Sequence, residues 1–138
     1  MQLHLPGGDT GSESVGLAVL FPIVLLLILS AVQGGLWWHA HAVAAQAAQA
    51  GVDAGRPVGA TTTIAAETAR SFTTRAGSGV LTDPAAQATV TAETVQVTVS
   101  GTVPRLLPIP GLDIHTEASA QASKERFTVP TLAAGGGP

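Results

Sequence analysis

The chain has 138 residues, of which 11% are charged and 4% are aromatic, and its formal net charge is −3. Six Lys and Arg against nine Asp and Glu leave no excess of cations for phosphate contacts, which argues against a nucleic-acid-binding protein. The chain has no cysteine, so it has neither a disulfide framework nor thiolate chemistry. The size allows one small domain with appendages.

The first element in the chain is an uncharged apolar run over residues 15–38, which follows a short polar leader, residues 1–14. A helix of this length rises about 36 Å, enough to cross a hydrocarbon core of about 30 Å. Trp37 and Trp38 close the run, where indole rings prefer the membrane interface. We therefore predict a single transmembrane helix, with a modest kink at Pro22.

A secretory signal peptide is the alternative interpretation of this run. Such a peptide begins with positive residues, and residues 1–14 contain neither Lys nor Arg. The run also exceeds a typical signal-peptide core of about 7–15 residues, although Ala40-His41-Ala42 is a candidate cleavage site beyond it. The nearest downstream cation is Arg56, so the distribution of charge does not set the orientation of the helix.

Residues 39–56 continue the helix as an Ala-rich extension, which ends at Gly55-Arg56-Pro57. Small residues recur along it at helical spacing and form a candidate packing face, here called the small-residue face: Ala40, Ala44, Ala47, Ala48, Gly51 and Gly55. One interpretation is that Ala simply favours helix. The other is that the face admits a second backbone, from the chain's own sheet or from a neighbouring subunit.

The second half of the chain predicts a short helix followed by strands. Residues 57–79 hold a second helix, from Thr61 to Ala76, and a turn. Strict alternation of polar and apolar residues from Thr94 to Ser100 predicts a strand. A preceding strand is predicted at residues 88–92, and a less regular alternation predicts a third strand within residues 113–126. These strands predict a three-stranded antiparallel sheet within residues 84–129 and an α+β, pilin-like fold. We expect the tail, residues 130–138, to be disordered.

A proline-rich connection joins the last two strands. It contains Pro104, Pro108 and Pro110 and the apolar residues Leu106, Leu107 and Ile109. Two placements are open for these apolar side chains, under the sheet or against lipid.

Chemical motifs are sparse. His39 and His41 lie two positions apart, which on a helix directs them about 200° from each other, so they are expected to be interfacial rather than metal ligands. The carboxylates are scattered, and no nucleophile elbow or phosphate-binding loop is present. We therefore predict a non-enzymatic protein without metal or cofactor and without a small-molecule substrate. A small membrane enzyme or metal carrier that uses the two histidines is a further alternative.

The order of the polar leader, apolar helix, Ala-rich extension and small sheet resembles the TadE-like family of pseudopilins. These are components of tight-adherence (Flp-type) pilus assembly systems. The stretch from Gly11 to Pro22 is similar to the family's start of the helix, and Ala47-Ala48-Gln49-Ala50-Gly51 is similar to its Ala-Ala-Arg-Glu-Gly element. The segment from Val95 to Pro104, followed by Leu106-Leu107-Pro108, is similar to its strand and Pro-Leu loop. Gly16 stands where the family has a Glu that is thought to pair with the N-terminal amine of a neighbour.

The resemblance implies a single-pass protein of the bacterial cell membrane with a cytoplasmic N-terminus and an extracytoplasmic C-terminal domain. It implies the lipid bilayer, other pilin or pseudopilin subunits and a pilus assembly platform as partners. A prepilin-type peptidase would cut between Gly11 and Ser12. A secreted extracytoplasmic binding protein, released by signal peptidase near Val43, is the alternative function.

Overall fold

A computed structural model describes residues 10–126 of the chain. It contains two helices, α1 (Thr10–Gly55) and α2 (Thr62–Ala76), followed by three strands, β1 (Thr82–Val90), β2 (Thr94–Val103) and β3 (Ile114–Ser123). The predicted α+β fold, with a long apolar N-terminal helix, a second short helix and a three-stranded antiparallel sheet, is confirmed. The tail at residues 130–138 lies outside the described residues, as do residues 1–9 of the leader.

Helix α1 is continuous over 46 residues and includes Pro22. The apolar run and the Ala-rich extension are therefore one helix, which begins at Thr10, inside the segment interpreted as a polar leader. The missing N–H of Pro22 does not end the helix, because the remaining turns still satisfy their own backbone groups. The helix ends at Gly55, where Arg56 and Pro57 follow.

Helix α2 has a conventional start and end. The Thr61 side chain accepts a hydrogen bond from the Ile64 N–H at 3.3 Å, and this caps the first turn. At the other end the Gly77 N–H donates to the Thr73 carbonyl at 2.7 Å. The buried side of α2, formed by Ala65, Ala69 and Thr73, is made of small side chains.

The sheet has the order β1-β2-β3, and both pairings are antiparallel. Strand β1 begins at Thr82, six residues before the predicted start at residue 88, and it ends at Val90 rather than at residue 92. Pro84 argues against a strand in the sequence, but here it lies in an edge strand, at a register shift between Thr82 and Ala85. Asp83, with a φ of 49°, belongs to the same irregularity.

The core lies between the C-terminal half of α1, α2 and one face of the sheet. The largest fully buried side chains of the sheet all belong to β2: Val95, Val97, Val99 and Val103. Alternation in β2 thus directs its valines towards α1, as the sequence pattern predicts.

Strand β2 runs back along α1. Val95 lies beside Gly55, and Val103 packs in a cluster with Ala40 and Leu36. The helix from Gln33 to Gly55 is about 33 Å long, and the extended chain from Val95 to Leu106 covers about 36 Å. The loop between β2 and β3 therefore returns to the level of the helix where the apolar run ends.

Candidate membrane anchor and helix junction

The first half of α1 is an apolar helix that no other part of residues 10–126 covers. Its large side chains are exposed from Val15 to Ile28, with Leu17 at 67% and Leu27 at 65%. The most apolar window of the helix has no buried share at all. This exposure excludes the interpretation as a core helix of the described domain, and it leaves membrane anchoring or a signal sequence.

Trp37 and Trp38, the predicted interface residues, follow this exposed segment on α1. Trp38 is 71% exposed, whereas the Trp37 ring stacks on the His41 ring with 5.6 Å between centroids. The other side of His41 reaches the sheet, because its Nδ1 atom lies 3.1 Å from the Thr116 hydroxyl. Trp37 is thus joined to the domain through His41, and Trp38 faces outward.

The two histidines considered as metal ligands do not come together on one side of the helix. His41 is engaged by Trp37 and Thr116, and His39 is exposed. Within residues 10–126 no group of three or more His, Cys, Asp or Glu side chains is placed to hold a metal ion.

The small-residue face lies inside the folded domain. All of its six members are buried: Ala40, Ala44, Ala47, Ala48, Gly51 and Gly55. A Cβ added at Gly51 would lie 2.8 Å from the Ala65 carbonyl oxygen, and one added at Gly55 would lie 2.7 Å from a Val95 methyl. The close approach therefore occurs within the chain, to α2 and to the chain's own sheet, and the sheet is one of the two neighbours that the sequence had left open.

Gln33 is a buried polar residue at this junction that the sequence analysis did not single out. Its side chain is only 6% exposed, although it lies in the apolar part of α1. Its Nε2 donates to the Pro104 carbonyl at 3.1 Å, and its Oε1 accepts from the Leu106 N–H at 2.7 Å. These two bonds fasten the connection between β2 and β3 to α1. A lone amide in an apolar helix is the signal that could have found it, because such a group needs a partner near lipid.

The predicted cleavage site lies in the first turn of α1. Gly11 is exposed, and an added Cβ there would meet nothing within 4 Å. Ser12 belongs to the same turn.

Residues 11–53 match a protein-family model described as TadE-like protein. The resemblance stated from the sequence is confirmed over this stretch, which includes the start of the helix and the element Ala47–Gly51. The match ends before the sheet, so the similarity seen from Val95 to Pro108 lies outside it. Neither a curated protein nor a solved structure matches the chain.

Proposed function

We propose that this TadE-like chain is a membrane-anchored minor pseudopilin, a non-enzymatic structural component of a tight-adherence pilus or secretion apparatus. The observation that carries the proposal is the family match over residues 11–53, since this stretch is also the exposed apolar helix and its junction with the domain. The match supports the proposed association with a tight-adherence pilus system. The role of pseudopilin, the orientation and the assembly partners are the proposed part.

Retention of the helix is supported by its continuity with the domain core. Cleavage beside Ala42, as for a secreted protein, would separate Ala40 from its cluster with Leu81 and Val103. It would also remove Gln33 and its two hydrogen bonds to the β2–β3 connection. A signal peptide is removed and makes no contacts in the mature protein, whereas an anchor helix can pack against the domain that it holds.

The proposed mechanism is packing. The exposed apolar half of α1 holds the chain in lipid and presents its side chains to the helices of neighbouring subunits. The other half is covered by α2 and the chain's own sheet, so subunit contacts outside the membrane fall to the exposed surfaces of α2 and the sheet.

The mass of the N-terminus in isolated, carbonate-washed membranes tests the proposal. We expect the chain in the membrane pellet with Ser12 as its first residue. Gly11→Leu should then keep the leader, whereas Gly16→Leu should be processed normally. The two glycines are matched controls, since an added side chain meets nothing within 4 Å at either position. A soluble chain that starts near Val43 would overturn the proposal. A membrane-bound chain that starts at Met1 would contradict cleavage after Gly11 but not the membrane anchor.

Labelling of a single cysteine tests the orientation. The chain has no cysteine, and Val58 is 60% exposed at the end of the domain far from the apolar run. A membrane-impermeant maleimide should label Val58→Cys in intact spheroplasts. Labelling only after lysis would contradict the proposed extracytoplasmic domain.

A further inference from the structure

The connection between β2 and β3, residues 104–113 and here called the β2–β3 loop, carries an exposed apolar tip. Leu106 is 43% exposed and Ile109 is 50% exposed. No charged residue lies between Leu106 and Leu112. The charges begin just outside the tip, where Arg105 and Asp113 face each other at 3.7 Å.

Gln33 sets the depth of this tip relative to the bilayer. The Leu106 N–H lies 2.7 Å from Gln33 Oε1, so the backbone of the tip is at the level of that helical turn. Gln33 precedes Trp37 and Trp38 by four and five residues, about 6–8 Å along the helix. A hydrocarbon core of about 30 Å, counted from Val15, takes about 20 residues and ends close to Gln33. The tip therefore lies on the lipid side of the two tryptophans.

The backbone of the tip suits a water-poor environment. Pro108 and Pro110 have no N–H to satisfy. Three other backbone N–H groups of the tip have acceptors within the protein. Leu106 donates to the Gln33 side chain, Ile109 donates to the Leu107 carbonyl, and Leu112 donates to the Ile109 carbonyl. Irregular backbone is costly near lipid because its polar groups lose water, and here most of the donors are removed or paired.

We propose that the β2–β3 loop is a second membrane contact. Its apolar tip rests at the bilayer interface beside α1, among the glycerol groups and the ester-linked ends of the acyl chains. The occupant of this surface is phospholipid, because the tip is continuous with the lipid-facing surface of α1 and its flanking charges fall at headgroup level. The inference rests on the membrane anchoring proposed above. It gives the domain two attachments to the bilayer, the helix and the loop, in place of one.

Spin labels on single cysteines in the otherwise cysteine-free full chain, reconstituted alone in phosphatidylcholine vesicles, test the inference. Three exposed apolar positions are matched in type: Ile109 in the tip, Val58 at the far end of the domain and Ile28 in the middle of the apolar run. Collision with oxygen reports lipid, and collision with a polar nickel chelate reports water. The oxygen-to-nickel collision ratio at Ile109 should be at least about threefold higher than at Val58 and lower than at Ile28.

A ratio at Ile109 equal to that at Val58, with Ile28 in lipid, overturns the loop contact and leaves the anchor in place. A label at Ile109 that is shielded from both reagents means that another protein copy covers the tip, which also overturns the lipid contact. A label at Ile28 exposed to the nickel chelate overturns the anchor and the loop contact together.

Discussion

Single residues decide how closely the sheet approaches the helix. Gly51 and Gly55 have no room for a methyl group, and the nearest atoms include backbone of α2 and a valine methyl of β2. Glycine is required here by close approach rather than by its backbone angles, since both residues lie within a helix. The residues that the family resemblance singles out in this segment are thus explained by packing inside one chain.

Gly51→Ala should destabilise the domain. Its Cβ would lie 2.8 Å from the Ala65 carbonyl and 3.0 Å from the Ala69 Cβ, an overpacking that costs about 1–3 kcal/mol. Gly35→Ala is the matched control, because it lies on the same helix and its Cβ would meet nothing within 4 Å. The thermal unfolding midpoint of the sheet, followed by circular dichroism in detergent, should fall for the first variant only. Equal midpoints for the two variants would contradict the packing described here.

Gln33→Leu should release the β2–β3 loop from α1. The Leu106 N–H loses its acceptor and the Pro104 carbonyl loses its donor, at about 1–3 kcal/mol for groups left unpaired. The amide of Leu106 should then exchange its hydrogen faster. Ser30→Ala is the control, since the Ser30 hydroxyl donates to the Leu26 carbonyl, within α1 itself. Unchanged protection of Leu106 in the Gln33 variant would show that the loop is held by other contacts.

At the scale of elements, the sequence predicts those parts whose local pattern and tertiary role agree. The strict alternation of β2 survives because each valine meets the helix on one face of the sheet. The long helix is predicted because its apolar half and its Ala-rich half both favour helix. β1 is only partly predicted. Its burial alternates from Pro84 to Val90, but the alternation is hard to see in the sequence because the exposed position 85 is also an alanine and because a proline argues against a strand.

The contacts between elements were harder to predict than the elements themselves. The Gln33 side chain bonds to residues 71 and 73 positions away, and the His41 ring meets a hydroxyl 75 positions away. Periodicity contains no information on such pairs, because it describes one element at a time. The sequence could show that the small-residue face admits a close neighbour, but only the arrangement of the elements identifies the neighbours as the chain's own α2 and sheet.

Helix α2 should depend on its N-cap. Thr61→Ala removes the acceptor of the Ile64 N–H and should cost about 1 kcal/mol. Thr62→Ala, at the next position and also exposed, should cost less, since alanine favours the helix interior. Unfolding midpoints in detergent compare the two variants. A larger loss for the Thr62 variant would contradict the assignment of Thr61 as the cap.

At the scale of the whole molecule, the exposed apolar segment and the domain share one helix and are not independent parts. Leu36 and Ala40 belong to a cluster with Leu81, Val103 and Ile114, just beyond the apolar run. The exposed apolar segment therefore changes into a segment packed against the domain within about two helical turns.

Chains that start at different points of this helix should differ in stability. A chain from Gln33 keeps the loop contacts and Ala40, whereas a chain from Val43 loses both. The unfolding midpoint of the shorter chain should be lower by about 10 °C or more, because a loss of about 2 kcal/mol corresponds to that shift in a small domain. Both chains lack most of the apolar run, so the comparison is made in buffer. Equal midpoints would favour a domain that does not need the part of α1 that precedes Val43, as expected of a secreted protein.

The unbroken course of α1 from the apolar run to Gly55 has a mechanical consequence. The sheet is packed along about the last 33 Å of the same helix. In the proposed membrane-anchored chain, any change in the tilt of α1 within the bilayer therefore moves the domain with it as a rigid body. A tilt of about 20°, ordinary for a membrane helix, would carry the end at Gly55 sideways by about 11 Å. Crowding of helices inside the membrane, by changing the tilt of α1, would thus displace the domain outside the membrane.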